Sequence, residues 1–280
     1  MRNLDWEANT GMNANKIIFV WKVKDTIPHT TIGFPGITGA LAGMSQAGLS
    51  VHEAGLGLMK ETELGFQWTL RLRYILMKAK NVAEAKAIWL ETKNTFGMNH
   101  MVASASDVKS GSAPIMVMET MRDYTAWFVD KDAREDNVNF TDPKTKKSYR
   151  AGYAMKDAIW RTNHAYDPTI NKFATSHPEE NSDTMKRYKI MKDCFNNYEN
   201  VPIGWEEALN MTAILADKGG NTFYQCPKGK DTGINVISAM FVPGQNVMYA
   251  AVEYGYGETY RTACCGVYLH IDMKPWFGKR

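Results

Sequence analysis

The hairpin that decides the fold reads Gly36-Ile37-Thr38-Gly39-Ala40-Leu41-Ala42-Gly43-Met44, then Gly48-Leu49-Ser50-Val51-His52-Glu53-Ala54-Gly55. Its first half uses small residues where bulk would normally help packing, and its second half is a glycine-flanked apolar strand. The residues between them, Ser45 to Gly48, predict the turn of a β-hairpin. His52 and Glu53 lie where the second strand ends, and buried ionisable groups there need partners or a function.

Blocks of strands and helices surround this hairpin. A β-rich run over 16–23 precedes it, and helical periodicity follows over 67–80. Asn81 can cap a second helix while Glu84 completes a capping box. Strand patterns at 100–104, 115–119 and 124–129 predict an antiparallel meander, helices follow over 181–194 and 204–218, and strands close the chain at 235–242, 247–253 and 266–271. Such blocks indicate an α+β layered protein rather than alternating βαβ units.

The segment 131–150 differs from its surroundings. It is polar, mixed in charge and nearly free of aliphatic residues. We interpret it as a surface insertion within a single domain that spans residues 1–280, rather than as a domain boundary.

Composition excludes several classes of function. Hydrophobic residues make up 44% and charged residues 22% of the 280 residues, as in a globular protein. A net charge of +3 is too small to recruit nucleic acid on charge alone. Mean hydropathy is −0.38, and no apolar run approaches the length of a bilayer span, so we expect no stable membrane insertion.

Motif searches exclude common cofactors. The chain has no dinucleotide-binding loop, no Walker loop and no His-Glu-x-x-His motif, and its 6 histidines are scattered singly. We therefore expect neither a metal nor a cofactor. The 4 cysteines, which are Cys194, Cys226, Cys264 and Cys265, lack the paired spacing of zinc or redox sites, and we interpret them as buried free thiols.

Three polar constellations remain as candidates for chemistry. Arg2 and Asp5 stand close together with opposite charge, His52 precedes Glu53, and Asn163-His164 ends an extended piece that begins at 159. Taken singly, each has an ordinary structural explanation, such as a surface ion pair of little energetic value for Arg2 and Asp5.

The order of these constellations is more specific than any one of them. Arg2-Asn3-Leu4-Asp5-Trp6 comes first, followed by the hairpin, by Leu70-Arg71-Leu72-Arg73-Tyr74-Ile75-Leu76 with Asn81-Val82-Ala83-Glu84-Ala85, and by Arg161-Thr162-Asn163-His164. In this order the chain resembles the acid ceramidase and N-acylethanolamine amidase group and the related penicillin acyltransferase-type cysteine peptidases. These proteins are N-terminal-nucleophile (Ntn) hydrolases.

The resemblance implies a four-layer αββα sandwich, in which two antiparallel sheets lie between helical layers. It also implies a precursor that cleaves itself in front of a cysteine, whose thiol is then the nucleophile and whose α-amino group is the base. Arg2 and Asp5 match the residues that hold that terminus, Glu53 matches an acidic residue lining the site, and Asn163 matches the amide donor of the oxyanion hole. His52, His164 and, more loosely, Arg187 are expected at the substrate.

One departure from the family pattern concerns the nucleophile. In the family it lies a dozen or more residues before the Arg-Asn-x-Asp segment, on a first strand, and neither the cysteine nor that strand stands before Arg2 here. We therefore expect Met1 to be an internal methionine of a longer reading frame, and the chain as given to be inactive. Cys264 and Cys265 are poor substitutes, because they are neither N-terminal nor placed like the family's nucleophile.

The resulting hypothesis is an amide hydrolase or acyltransferase that forms a cysteine acyl-enzyme with a small-molecule acyl amide. A propeptide or α-subunit from the same precursor is the expected partner, and the resemblance favours a lysosomal or secreted protein. The alternatives are a non-catalytic relative that binds a small molecule in the same cleft, with Asn163 and Glu53 as contacts, and a structural domain without a site.

Overall fold

The computed structural model describes residues 1–6, 10–11, 14–175, 177–198, 201–218, 235–255 and 259–278. The strands are β1 (Arg2–Asp5), β2 (Ile17–Trp21), β3 (His29–Gly33), β4 (Ala42–Ser45), β5 (Leu49–Gly55), β6 (Met98–Ser104), β7 (Ile115–Met121), β8 (Tyr124–Val129), β9 (Asn139–Thr141), β10 (Ser148–Arg150), β11 (Asn235–Val242), β12 (Val247–Val252) and β13 (Leu269–Asp272). The helices are α1 (Trp68–Lys78), α2 (Val82–Leu90), α3 (Ala105–Ser110), α4 (Ala133–Asp136), α5 (Pro168–Asn171), α6 (Asp183–Asn196), α7 (Trp205–Lys218) and α8 (Lys274–Phe277).

The larger sheet has seven antiparallel strands in the chain order β2-β3-β4-β5-β6-β7-β8. The predicted hairpin forms its centre as β4 and β5, and the predicted meander is confirmed as β6, β7 and β8. Strand β3 was not predicted. Its five residues are all buried, and its threonines escape the usual cost of buried hydroxyls because Thr30 donates to Phe19 O and Thr31 accepts from the Trp21 indole.

The smaller sheet has the order β1-β11-β12-β13 and joins the two ends of the chain. Strand β1 pairs antiparallel with β11, so that Arg2 lies opposite Ala239 and Leu4 opposite Ile237. Of the three final strands predicted, β11 has the expected bounds, β12 ends one residue early, and β13 begins three residues later than predicted.

The two sheets pack face to face between helices, which confirms the predicted α+β sandwich. Leu4, Ile237 and Phe241 of the smaller sheet share a core with Ile32 and Met44 of the larger one. Helices α1 and α2 cover the other face of the larger sheet, and α7 covers the outer face of the smaller sheet beside α6.

Small residues in β4 allow close approach between layers. A Cβ on Gly43 would lie 2.5 Å from Thr30 O and 2.7 Å from a methyl carbon of Leu76 in α1. The glycine-rich half of the hairpin is therefore small because a neighbouring strand and a helix occupy the space.

The start of α2 confirms one predicted contact and corrects another. The Asn81 side chain accepts a hydrogen bond from the Glu84 N–H at 2.8 Å, as an N-cap should. Glu84, however, accepts from the Lys80 N–H and not from the Asn81 N–H, so the reciprocal half of the capping box is displaced by one residue.

The 131–150 segment forms α4 and the β9–β10 hairpin. Most of its residues are exposed, but Phe140 and Tyr149 are buried in a core shared with α6. Its description as an insertion stays a prediction.

The cysteine prediction needs correction. Cys194 and Cys264 are buried free thiols, as expected, whereas Cys265 is disulfide-bonded. Cys226 lies outside the described residues. Among the helices described, none is long and apolar enough to cross a bilayer.

Candidate functional site

A cavity of about 560 Å³ opens where the two sheets meet α6 and α7. Its walls come from β1, β5, β6, the 159–163 segment, and the inner faces of both helices. Six of the seven side chains predicted for the site line it together, namely Arg2, Asp5, His52, Glu53, Asn163 and Arg187. Apolar residues form much of the remaining wall, namely Trp6, Trp68, Met98, Met101, Ile115, Ile159, Trp160, Met191, Phe195, Leu215 and Phe241.

Arg2 binds Glu53 across the two sheets. Its guanidinium makes an ion pair with the Glu53 carboxylate and also contacts Glu53 O at 3.3 Å, and each side chain is only 7% exposed. The ordinary explanation of Arg2 as half of a surface pair with Asp5 does not hold, because packing gives Arg2 a buried partner on β5 instead. Breaking a buried pair leaves an uncompensated charge, so these two side chains fix each other at the cavity wall.

Asp5 is held from the smaller sheet. Asn235 Nδ2 donates to Asp5 Oδ1 at 3.1 Å, and Asn235 Oδ1 accepts the Cys264 N–H at 2.8 Å. Asn235 is fully buried, so this amide ties the Asp5 carboxylate to the 263–265 turn.

Asn163 projects into the cavity from the segment before α5. Its side-chain amide donates to Gly55 O at 3.0 Å, and its carbonyl oxygen accepts from Arg187 at 3.1 Å. Arg187 is itself paired with Asp183 one helical turn earlier in α6, at 2.7 Å. Since a primary amide has two N–H donors, the bond to Gly55 leaves one donor for a ligand.

The two predicted histidines have different surroundings. His52 lines the cavity against Phe241, with ring centres 5.2 Å apart. Burial, together with neighbouring positive charges that include Arg2, lowers the pKa of His52 well below its usual value. This imidazole is therefore neutral at neutral pH.

His164, by contrast, lies behind the cavity wall. Its ring contacts the Thr184 hydroxyl at 2.9 Å and the Tyr166 hydroxyl at 2.9 Å, and it is not among the lining residues. Burial, together with the charges of Arg161 and Arg187, lowers the pKa of His164 to about 3.

Sequence reasoning missed the buried charges behind Asn163. Arg161 makes ion pairs with Glu119 and with Glu135, and all three side chains are almost fully buried. These carboxylates raise the pKa of Arg161 although burial opposes them. Glu119 gives little signal in the sequence, because a single carboxylate in a strand usually faces solvent.

None of the cysteines in the described part of the chain supplies a thiol to the cavity. Cys194 is on the buried side of α6 and packs in the core. Burial raises the pKa of Cys264 to about 11, which keeps that thiol protonated. The described residues also contain no group of three or more His, Cys, Asp or Glu side chains that could hold a metal ion.

Comparison with known families gives this cavity a context. The model of the acyl-coenzyme A:6-aminopenicillanic acid acyltransferase family matches residues 1–256. The chain belongs to this family. No curated protein sequence matches the chain significantly.

Solved structures show that this acyltransferase-family member has an Ntn-hydrolase fold. The Caenorhabditis elegans orthologue of N-acylethanolamine-hydrolyzing acid amidase shares 12% identity at a TM-score of 0.53, over 87% of this chain and 86% of that one. A variant of the conjugated bile acid hydrolase from Clostridium perfringens shares 11% identity at a TM-score of 0.54, and the match covers 97% of this chain and 87% of that one. Penicillin V acylase from Agrobacterium tumefaciens shares 11% identity at a TM-score of 0.56, and the match covers 97% of this chain and 81% of that one. At these identities the similarity is one of fold.

Proposed function

We propose that this protein is an acyl amide hydrolase or acyltransferase that works through a cysteine acyl-enzyme. The observation that carries the proposal is the cavity in which Arg2, Asp5, Glu53 and Asn163 meet beside an apolar wall. Membership of an acyltransferase family supports it, as do structural neighbours named as an amide-hydrolysing amidase, a bile acid hydrolase and a penicillin acylase.

The two sides of the cavity suit the two parts of an acyl amide. The apolar wall formed by Met101, Ile115, Trp160 and Phe195 would take the acyl chain, and the polar side near Asn163 would take the amide. A volume of about 560 Å³ is within the range of small-molecule sites.

In the proposed reaction a cysteine thiolate attacks the carbonyl carbon of the amide. The C=O electrons move to oxygen, and the free N–H of Asn163 stabilises that oxyanion as a neutral donor that does not titrate. The α-ammonium group of the cysteine gives its proton to the leaving nitrogen, and the C–N bond breaks. Water or a second amine then attacks the thioester and gives up its proton to the α-amino group. The C–S bond breaks, the acyl product leaves, and the thiolate and α-ammonium groups are restored.

Arg2 and Asp5 have proposed roles at the cysteine end of this arrangement. Asp5, anchored by Asn235, would hold the α-ammonium group by charge and hydrogen bonding. Arg2, anchored by Glu53, would favour the thiolate over the thiol. Arg187 would keep the carbonyl oxygen of Asn163 turned away from the substrate, so that its N–H side faces the oxyanion.

We further propose that the thiol comes from a first strand encoded before Arg2, exposed when the precursor cleaves itself and releases a propeptide. The reason lies in the site, because no described cysteine lines the cavity while the other expected groups do. The 280-residue chain would then bind acyl amides without turning them over.

The decisive experiment is to sequence the gene upstream of Arg2 and to label the full-length protein with a chemical probe. We expect a cysteine codon upstream of Arg2. We also expect a thiol-directed amidase probe to label the full-length protein, and substitution of that cysteine by serine to abolish the labelling. An in-frame stop with no cysteine upstream would refute the enzyme.

A non-catalytic binding role is the second candidate, favoured by the lack of a thiol among the described cavity residues. Both roles require the cavity to bind an acyl amide. Trp6, Trp68 and Trp160 line it, so titration with octanoyl ethanolamide should change the tryptophan fluorescence of the 280-residue chain. If full-length protein binds the amide but no thiol is labelled, the binding role stands and the enzyme does not.

A further inference from the structure

Two side chains on neighbouring strands hold the backbone that carries Asn163. Asn99 of β6 and Glu119 of β7 are direct partners across the antiparallel ladder. Their side chains therefore lie on the same face of the larger sheet, against the 161–167 segment. We refer to this pair as the Asn99–Glu119 clamp.

Asn99 holds the segment through two carbonyl groups. Its Nδ2 donates to Thr162 O at 2.8 Å and to His164 O at 3.1 Å, which are the carbonyls on either side of Asn163. Asn99 is 1% exposed, so these carbonyls would have no water to replace the lost donors.

Glu119 holds the same segment by accepting hydrogen bonds from N–H groups of that segment. One carboxylate oxygen accepts from the backbone N–H of Tyr166 and of Asp167, each at 2.8 Å, and the other accepts from Arg161 Nε at 2.9 Å. Glu119 is fully buried. Both ends of the segment are thus fastened to one carboxylate.

The chemistry of the clamp matches what it binds. A carboxylate accepts hydrogen bonds only, and Glu119 faces three donors, while the amide nitrogen of Asn99 is a donor and faces two acceptors. Replacing the carboxylate by an amide would place an N–H group against at least one of those donors. The residue types are therefore specific to the task and not simply polar.

We propose that Asn99 and Glu119 are positioning residues that set the direction of the Asn163 side-chain amide in the cavity. Between the points they fasten, Asn163 has one further backbone contact, from its N–H to the Thr184 hydroxyl at 2.9 Å. The consequence for catalysis rests on the function proposed above, whereas the positioning itself does not.

The test compares Glu119→Gln and Asn99→Leu with Met118→Leu by NMR of the ¹⁵N-labelled chain. Met118 is a suitable control, because it adjoins Glu119 on β7, is equally buried and packs toward α1 and α2. In each clamp variant we expect the Asn163 side-chain NH₂ signals to move and exchange of the Asn163 backbone N–H to rise about tenfold, since one hydrogen bond changes an opening equilibrium by that order. Met118→Leu should change neither.

Folded clamp variants with unchanged Asn163 signals would overturn the proposal. If Asn99→Leu or Glu119→Gln does not fold, Asn99→Ser and Glu119→Asp, which keep part of the hydrogen-bonding capacity, are judged by the same criterion.

A binding measurement separates positioning from general stability. In the Asn163→Ala background, Glu119→Gln should no longer weaken octanoyl ethanolamide binding, although it weakens binding about tenfold in the wild-type background. Equal losses in both backgrounds would contradict the proposal. If the wild-type chain binds no amide, the proposed function fails while the NMR comparison still decides whether the clamp positions Asn163.

Discussion

The buried imidazole of His100 should make the protein less stable in acid. His100 lies on β6 with 1% of its surface exposed. Its ring centre is 4.7 Å from that of Trp89 and 6.0 Å from that of Trp68. Its Nδ1 has no hydrogen-bond partner among the described residues. Burial, together with the charge of Arg71, lowers the pKa of His100 to about 3.

The sign and size of the effect follow from proton binding. The folded-state pKa lies below the unfolded value of 6.5, so the unfolded chain binds the proton first as the pH falls. The stability contributed by neutral His100 is therefore complete above about pH 6.5 and is lost progressively toward pH 3. Between about pH 7 and about pH 5 the loss amounts to about 2 kcal/mol, almost all of it from protonation of the unfolded chain.

The substitution His100→Phe removes this proton and keeps an aromatic ring between the tryptophans. Urea unfolding at about pH 7 and about pH 5 should show that the variant loses about 2 kcal/mol less than the wild type over this interval, whatever the substitution costs at pH 7. His177→Gln is the matched control. His177 is exposed, so that variant should retain the wild-type difference between the two pH values. An equal loss in His100→Phe and the wild type would refute the reasoning.

Three further substitutions test other parts of the structure by urea unfolding. Glu53→Gln should lower the free energy of unfolding by about 3–5 kcal/mol, because it leaves Arg2 buried and unpaired, and the double variant with Arg2→Met should recover part of that loss. Gly43→Ala should cost about 1–3 kcal/mol, because its Cβ would meet Thr30 O at 2.5 Å, and an unchanged midpoint would contradict the close packing. Asn81→Ala should lower the free energy of unfolding by about 1 kcal/mol, because α2 loses its N-cap. A decrease of less than a few tenths of a kcal/mol would show that the cap contributes little.

Local signals in the sequence predicted most of the fold. Strand β11 was found with its bounds because apolar and β-branched residues run between two turns, and α1 was found because apolar residues recur at helical spacing. Strand β3 was missed because His29, Thr30 and Thr31 look like a polar connection. Their burial depends on neighbours in β2 and β4 that local patterns do not reveal.

The candidate site was predicted only in part, because its contacts are distant in sequence. The order of motifs drew attention to Arg2 and Asn163, but not to the ion pair of Arg2 with Glu53, which depends on how the sheets face each other. Asn99 and Glu119 were not identified at all. Each is one polar residue in a strand, and only the ladder that sets them side by side shows what they hold.

The pairing of β1 with β11 has a consequence for synthesis on the ribosome. All seven strands of the larger sheet lie between Ile17 and Val129 and follow one another in the chain, so that sheet can assemble while translation continues. Strand β1 can pair with β11 only after Asn235–Val242 has been synthesised, when most of the chain has been made. Because Arg2 and Asp5 reach the cavity only through that pairing, the cavity forms last, and a nascent chain carries no completed site until its final strands emerge.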